Sequence, residues 1–142
     1  MTEKDFRFKH SELIEYYQYI EMRLKAICAA ILADEEKSWI QRLDDYESDS
    51  FGTLLKKIKE IQEQKHIDVL IKDDLEQLDK MRITRNYWAH QCFGGKQPII
   101  FKKEIVNRNE YATKIISDLD KAIEWDEKLT KKNIENIKRV IK

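Results

Sequence analysis

Residues that break helices are scarce in this chain. Only three glycines and one proline occur in 142 residues, and the long stretches between them are rich in Leu, Ile, Glu and Lys. Turns depend heavily on glycine and proline, so this composition favours an all-α fold. The length is that of one domain, and we predict a single helical domain over residues 1–142.

Long apolar runs and cysteine pairs are also missing. No apolar run approaches the roughly 20 residues that span a bilayer, and residues 1–8 are charged rather than signal-like. Cys28 and Cys92 lie far apart without His or Cys neighbours at metal-ligand spacing. We therefore expect reduced thiols, no metal or other cofactor, no membrane partner and a cytoplasmic location.

Net charge of one sign is absent as well. The 27 basic and 27 acidic residues cancel, so no global field attracts a polyanion. Affinity for nucleic acid would need a local basic patch, although such lysines can equally well only solvate the surface. The candidate residues for this patch are Lys80, Arg82, Arg85, Lys96, Lys102 and Lys103.

Apolar residues recur at helical spacing along most of the chain. In the first predicted helix the steps alternate between four and three, which indicates a stripe that faces a core. That stripe consists of Leu13, Tyr17, Ile20, Leu24, Ile27 and Ile31. The pattern predicts an up-and-down bundle of four long helices plus a short C-terminal helix. The first predicted helix covers about 11–33 and the third about 73–93. The second begins at residue 49 or 50, the fourth begins at residue 107 or 109, and the short C-terminal helix covers 131–142.

Two segments between the helices lack this pattern. Residues 34–49 are acidic and weakly periodic, so we interpret them as a connector with one short turn. Residues 97–101 contain Pro98 and the β-branched Ile99 and Ile100, which predicts an extended crossing.

The hexapeptide Arg85-Asn86-Tyr87-Trp88-Ala89-His90 stands near the end of the third predicted helix. At about 100° per residue, Asn86 and His90 lie one turn apart, and Arg82 lies one turn before Asn86. Arg85 is on the adjoining flank, and the small Ala89 leaves room for a ligand. A cation, an amide and an imidazole on neighbouring turns are suited to phosphodiester chemistry. The nearby C-terminal end of the helix favours the imidazolium form of His90.

These residues resemble the HEPN superfamily, in which an Arg and a His four to six residues apart close a long helix. Two segments before the motif add to this resemblance, because several HEPN subgroups have a similar succession of segments. They are residues 51–58, which begin with Phe-Gly-Thr-Leu-Leu, and residues 73–78. The resemblance covers roughly residues 10–128, and the hexapeptide is its specific part. In one subgroup of toxins a modifiable Tyr stands two residues after the motif His. This chain has Cys92 there, which argues against that mode of neutralisation.

The resemblance implies a metal-independent endoribonuclease, in the manner of HEPN toxins and abortive-infection or antiphage defence effectors. An antitoxin or an associated defence protein is then an expected partner. RNA supplies its own 2′-hydroxyl as nucleophile. His90 would move the proton and Arg85 would hold the phosphate. Asn86 would position the phosphate or the imidazole, with Lys80, Arg82 and Lys96 as further RNA contacts.

One His can hardly be acid and base on opposite sides of the phosphorus. We therefore expect a homodimer with a composite active site, to which each subunit supplies one motif. Two alternatives remain open. One is a non-catalytic HEPN-like module that binds a protein or nucleotide through the same face. The other is a plain helical interaction protein with an accidental motif and with His90 packed inside its own core.

Several residues outside the motif have simpler interpretations. Glu15 and Glu21 of the first helix can approach the motif helix, although ordinary solvent-facing carboxylates are more common. The tryptophans, Trp88 among them, are predicted to anchor the core or an interface rather than stack on bases. His10 and His66 have no motif around them and are interpreted as surface or cap residues.

Overall fold

The computed structural model describes residues 1–33, 36–92 and 109–140, and the described part folds into five α-helices without a strand. The predicted all-α helical bundle is confirmed. A 3₁₀ turn follows α2 and a π-helical turn follows α4. The α-helices are α1 (Glu3–Ile31), α2 (Trp39–Leu43), α3 (Phe51–Lys65), α4 (Lys72–Asn86) and α5 (Asn109–Val140); the 3₁₀ turn is Asp44–Tyr46 and the π turn is Tyr87–Gln91.

Helix α1 is the central element and packs against α2, α3 and α5. All six apolar residues predicted for its stripe are buried. The helix nevertheless begins about eight residues earlier than predicted, because Thr2 caps it. The Thr2 hydroxyl accepts a hydrogen bond of 3.1 Å from the backbone N–H of Asp5, whose carboxylate accepts one of 3.3 Å from the Thr2 N–H. Phe6 extends the buried stripe into this first part of α1.

Helix α3 has well-defined ends. Ser50 caps its first turn by accepting a hydrogen bond of 3.4 Å from the N–H of Thr53, as one of the two predicted caps. His66 ends the helix in the left-handed conformation, with φ of 54°, which confirms it as a cap residue. The buried side chain of Gln62 then fixes the connection to α4. Its amide donates to the Leu70 carbonyl at 2.9 Å and accepts from the Leu70 N–H at 2.8 Å.

The start of α4 is tied to α5 by one buried carboxylate. Asp74 is 2% exposed and accepts a hydrogen bond of 3.2 Å from the N–H of Ile71, the residue before the helix. It also forms ion pairs with the ammonium groups of Lys128, at 2.6 Å, and Lys132, at 3.8 Å. A buried charge needs such partners, so these contacts fix the position of the first turn of α4 relative to α5.

Two predicted segment boundaries need correction. The prediction of a separate C-terminal helix over 131–142 was wrong, because α5 continues without interruption to Val140. No glycine or proline occurs between residues 109 and 140 to end it. The connector over 34–49 contains α2, which starts at a capping box between Ser38 and Gln41. The predicted extended crossing over 97–101 lies outside the described residues.

The core lies where α1 meets α3, α4 and α5. Its largest fully buried side chains come from all four helices and from the π turn. They include Phe6, Leu13, Ile20, Leu24, Phe51, Ile58, Leu78, Trp88 and Ile115. Among the described residues, no helix has the length and apolar character needed to cross a membrane.

Candidate functional site

The motif lies where α4 changes into the π turn. Arg85 and Asn86 close α4, and His90 lies within the π turn. The turn is defined by a hydrogen bond of 2.9 Å from the N–H of Cys92 to the carbonyl of Tyr87, five residues earlier. A wider turn rotates less per residue than an α-helix. His90 therefore lies closer to the flank of Arg85 than the predicted α-helical phase placed it.

Trp88 anchors the π turn in the core. Its side chain is fully buried, and its indole N–H donates a hydrogen bond of 2.7 Å to the carboxylate of Asp118 on α5. The Tyr87 ring lies edge-on to Trp88, with centroids 5.0 Å apart, and the Lys114 ammonium lies 4.2 Å from the centroid of the Tyr87 ring. The interpretation of Trp88 as a core anchor is confirmed. The rigid indole leaves the neighbouring residues Ala89 and His90 on the surface.

His10 of α1 holds the backbone of the same turn. Its Nε2 donates to the carbonyl of Trp88 at 2.7 Å, and the Cys92 thiol donates to that carbonyl at 3.1 Å. Since a carbonyl only accepts, this contact requires a proton on Nε2. Of the two roles predicted for His10, surface or cap residue, this contact agrees with the second, since the partly exposed ring binds a backbone carbonyl of the π turn. Its spacing from Phe6 and Leu13, four and three residues, is the sequence signal for this position once α1 is known to start at Glu3.

Arg85 lies against α1 rather than in open solvent. Its Nη2 is 3.8 Å from a carboxylate oxygen of Glu21, and its Nη1 donates to the Asn86 side-chain oxygen at 3.1 Å. About a quarter of the Arg85 side chain is exposed, so one edge of the guanidinium can still reach a ligand. Of the two acidic residues considered from sequence, Glu21 meets the motif. Glu15 is exposed and accepts a hydrogen bond from Tyr19 of its own helix.

His90 is exposed, and no hydrogen bond to its ring comes from any residue of the described ranges. Ala89 beside it is exposed too, so the imidazole is approachable from solvent. This position argues against the third interpretation, which required His90 to be packed inside its own core.

The predicted RNA-binding residues do not all meet at one place. Arg82 lies on the α3 side, where its Nε donates to Asp79 at 2.8 Å; a Cβ added to Gly52 would lie 3.0 Å from its Cδ. Lys80 is six residues from Asn86, which separates the two by about 120° around α4, and it faces a cavity between α4 and α5. Lys96, like Lys102 and Lys103, lies outside the described residues.

The arrangement therefore combines an accessible imidazole, a partly exposed guanidinium and an amide on consecutive turns. These groups can transfer a proton and bind a phosphate. In the part of the chain that the structure describes, no group of three His, Cys, Asp or Glu residues is placed to hold a metal ion.

Comparisons with known proteins returned no match: no family model, no curated protein and no solved structure is significantly similar to the chain. The resemblance to HEPN proteins therefore depends on the residues of the motif and their position in the sequence.

Proposed function

We propose that this protein is a metal-independent endoribonuclease of the HEPN type. The observation that carries the proposal is a solvent-accessible His90 five residues after an Arg85 that Glu21 and Asn86 hold in place. An enzyme that cleaves phosphodiesters needs a mobile proton and a fixed positive charge beside one phosphate. The end of α4 and the π turn supply both.

In the proposed reaction the 2′-oxygen of RNA attacks the adjacent phosphorus, and the bond from phosphorus to the 5′-oxygen breaks. One His90 accepts the 2′-hydroxyl proton, and a second imidazole protonates the departing 5′-oxygen. Arg85 opposes the charge that develops on the phosphoryl oxygens. The products are a 2′,3′-cyclic phosphate and a 5′-hydroxyl.

The second imidazole comes from a second copy of the chain in this proposal. Ile83 supports such a dimer: it lies three residues before Asn86, and its side chain is 58% exposed. Residues three apart share a helix face. An apolar side chain beside the motif is suited to a contact between two copies that brings both motifs into one cleft.

The direct test is cleavage of a structured RNA by the purified protein in EDTA. We expect the parent to produce 2′,3′-cyclic phosphate ends and His90→Ala and Arg85→Ala to lose at least about 100-fold in rate. His66→Asn and Arg7→Gln are matched controls that remove an exposed imidazole and an exposed guanidinium elsewhere. Equal cutting by all variants, or no cutting by the parent, would refute the proposal.

Subunit mixing tests the composite site separately. If each cut needs two copies of His90, parent and His90→Ala subunits that are mixed in equal amounts, unfolded and refolded together contain about one quarter parent dimers. Activity should then fall to about a quarter of that of the unmixed parent at equal total protein. A fall to one half indicates that each subunit acts alone.

A non-catalytic binding module is the second candidate. It is favoured by the ion pair with Glu21, which already balances part of the Arg85 charge, and by the zero net charge. Expression in cells distinguishes the two candidates. A toxin or antiphage effector arrests growth when it is expressed without its antitoxin, and His90→Ala relieves that arrest. If the chain only binds a partner, the parent and the His90→Ala variant have the same effect on growth.

A further inference from the structure

A cavity of about 370 Å³ lies between α4 and α5, with α1 beneath it. It is separate from the motif: Lys80 and Thr84 border it from the flank of α4 that faces away from Asn86. The volume falls within the range of sites that hold small molecules.

Tyr17 of α1 lines this cavity with an unpartnered hydroxyl. Only 2% of its side chain is exposed, and no residue of the described ranges forms a hydrogen bond with its oxygen. Burial, followed by the nearby carboxylate of Asp118, raises the pKa of Tyr17, so the hydroxyl stays a donor. A hydroxyl left open to a cavity is therefore suited to an acceptor on a ligand.

Lysines border the same cavity. Lys128 is already engaged by Asp74 at 2.6 Å. Lys80 and Lys121, by contrast, form no ion pair with any residue in the described part of the chain, and both are exposed. Two unpaired ammonium groups across one opening favour an anion, and a dianion more than a monoanion.

Carboxylates complete the lining. Asp118 uses one oxygen, Oδ2, to accept from the Trp88 indole, and its other oxygen can accept a hydrogen bond from a ligand. Glu124 lies further along α5. These carboxylates repel an anionic group inside the cavity, but they can accept hydrogen bonds from hydroxyl groups on the uncharged part of a ligand, which we call its body. The lining therefore matches a molecule with an anionic end and a hydroxylated body.

We propose that the α4–α5 cavity binds a small phosphomonoester with a hydroxylated body, with its phosphate at Lys80 and Lys121 and its body at Tyr17 and Asp118. A free sugar phosphate and the 5′-phosphorylated end of an RNA share this chemistry. The proposal does not depend on the proposed cleavage, because its test measures binding alone.

The probe is ribose 5-phosphate, titrated by calorimetry into the full chain, with ribose and inorganic phosphate as comparisons. We expect ribose 5-phosphate to bind at least about tenfold more tightly than either fragment. Tyr17→Phe should weaken binding about two- to tenfold, as expected for one lost hydrogen bond. Lys121→Gln should weaken it about threefold or more, and less so at high salt. Lys131→Gln, which removes another exposed lysine of α5, should leave it unchanged.

Two results would overturn the proposal. One is ribose 5-phosphate binding no more tightly than inorganic phosphate. The other is Tyr17→Phe and Lys121→Gln binding as tightly as Lys131→Gln, with all three folded by circular dichroism. A 5′-phosphorylated tetranucleotide, tested on the His90→Ala protein, distinguishes the sources. If the tetranucleotide binds more tightly than ribose 5-phosphate, and Tyr17→Phe removes this advantage, the ligand is an RNA end. If the tetranucleotide binds more weakly, the ligand is the free sugar phosphate.

Discussion

The indole nitrogen of Trp88 donates a hydrogen bond of 2.7 Å to Oδ2 of Asp118, which joins the turn that carries His90 to the long helix α5. Since Trp88 is fully buried, it cannot turn to solvent for another acceptor. The position of the exposed motif residues therefore depends on a contact in the interior.

Replacement of Asp118 tests this dependence. Asp118→Ala leaves the buried indole N–H without an acceptor, so we expect the free energy of unfolding to fall by about 1–3 kcal/mol. Asp118→Asn keeps a side-chain oxygen and should cost clearly less. Urea denaturation followed by tryptophan fluorescence measures both, with Asp120→Ala, an exposed residue of the same helix, as the control. Equal stability of the Ala and Asn variants would contradict the prediction.

Glu21→Gln tests how Arg85 is positioned. The carboxylate lies 3.8 Å from the guanidinium, and such partly exposed pairs contribute only about 0–1 kcal/mol to stability. We expect folding to change little, whereas kcat for RNA cleavage falls, by up to about 100-fold if the guanidinium is displaced. KM should change less than kcat, since the lost property is orientation. Glu15→Gln is the matched control on α1, and faster cleavage by Glu21→Gln would show that the carboxylate competes with RNA instead.

His10→Phe removes the hydrogen bond to the Trp88 carbonyl but keeps a ring of similar size. We expect a loss of about 0.5–1.5 kcal/mol in stability and faster amide hydrogen exchange at Cys92, whose N–H closes the π turn. His10→Gln can still donate to the carbonyl and should restore part of the protection. Unchanged exchange at Cys92 in the Phe variant would mean that the π turn does not depend on His10.

Alkaline pH should destabilise the fold. Burial raises the pKa of the Cys28 thiol to about 12, and burial raises the pKa of Tyr46 to about 12 as well. Between about pH 9 and 12 the unfolded chain loses protons that the folded chain keeps, so stability decreases as pH rises. Cys28 alone accounts for at most about 1.4 kcal/mol per pH unit. Urea midpoints from pH 8 to 11 should fall steeply in the parent and less steeply in Cys28→Ala; parallel curves would be inconsistent with this origin.

Much of the fold could be predicted because hydrophobic periodicity is local. The buried stripe from Leu13 to Ile31 and the cap at Ser50 could be predicted from residues only a few positions away in the sequence. The early start of α1 was not, because residues 7–12, which are polar except for the exposed Phe8, separate Phe6 from Leu13 and obscure their common face. The unbroken α5 shows the opposite error, since a separate helix was predicted over 131–142 although no glycine or proline occurs between residues 109 and 140.

The position of the motif at the end of α4 was also predictable from local sequence. Its supporting contacts were not: His10 is 78 residues from Trp88, and Asp118 is 30 residues from it. The π turn could not be predicted either, because a single hydrogen bond between residues five apart leaves no periodic signal in so short a segment. Lys80 illustrates the same limit, as its sequence proximity to Arg85 did not indicate that it faces a different surface.

The pair of hydrogen bonds between Gln62 and Leu70 has a consequence for how the protein responds to its medium. A carboxamide carries no charge, so this link between α3 and α4 should withstand salt that screens the ion pairs of Asp74 with α5. Added salt should therefore loosen α4 from α5 before it loosens α4 from α3, and the bundle should open first between α4 and α5.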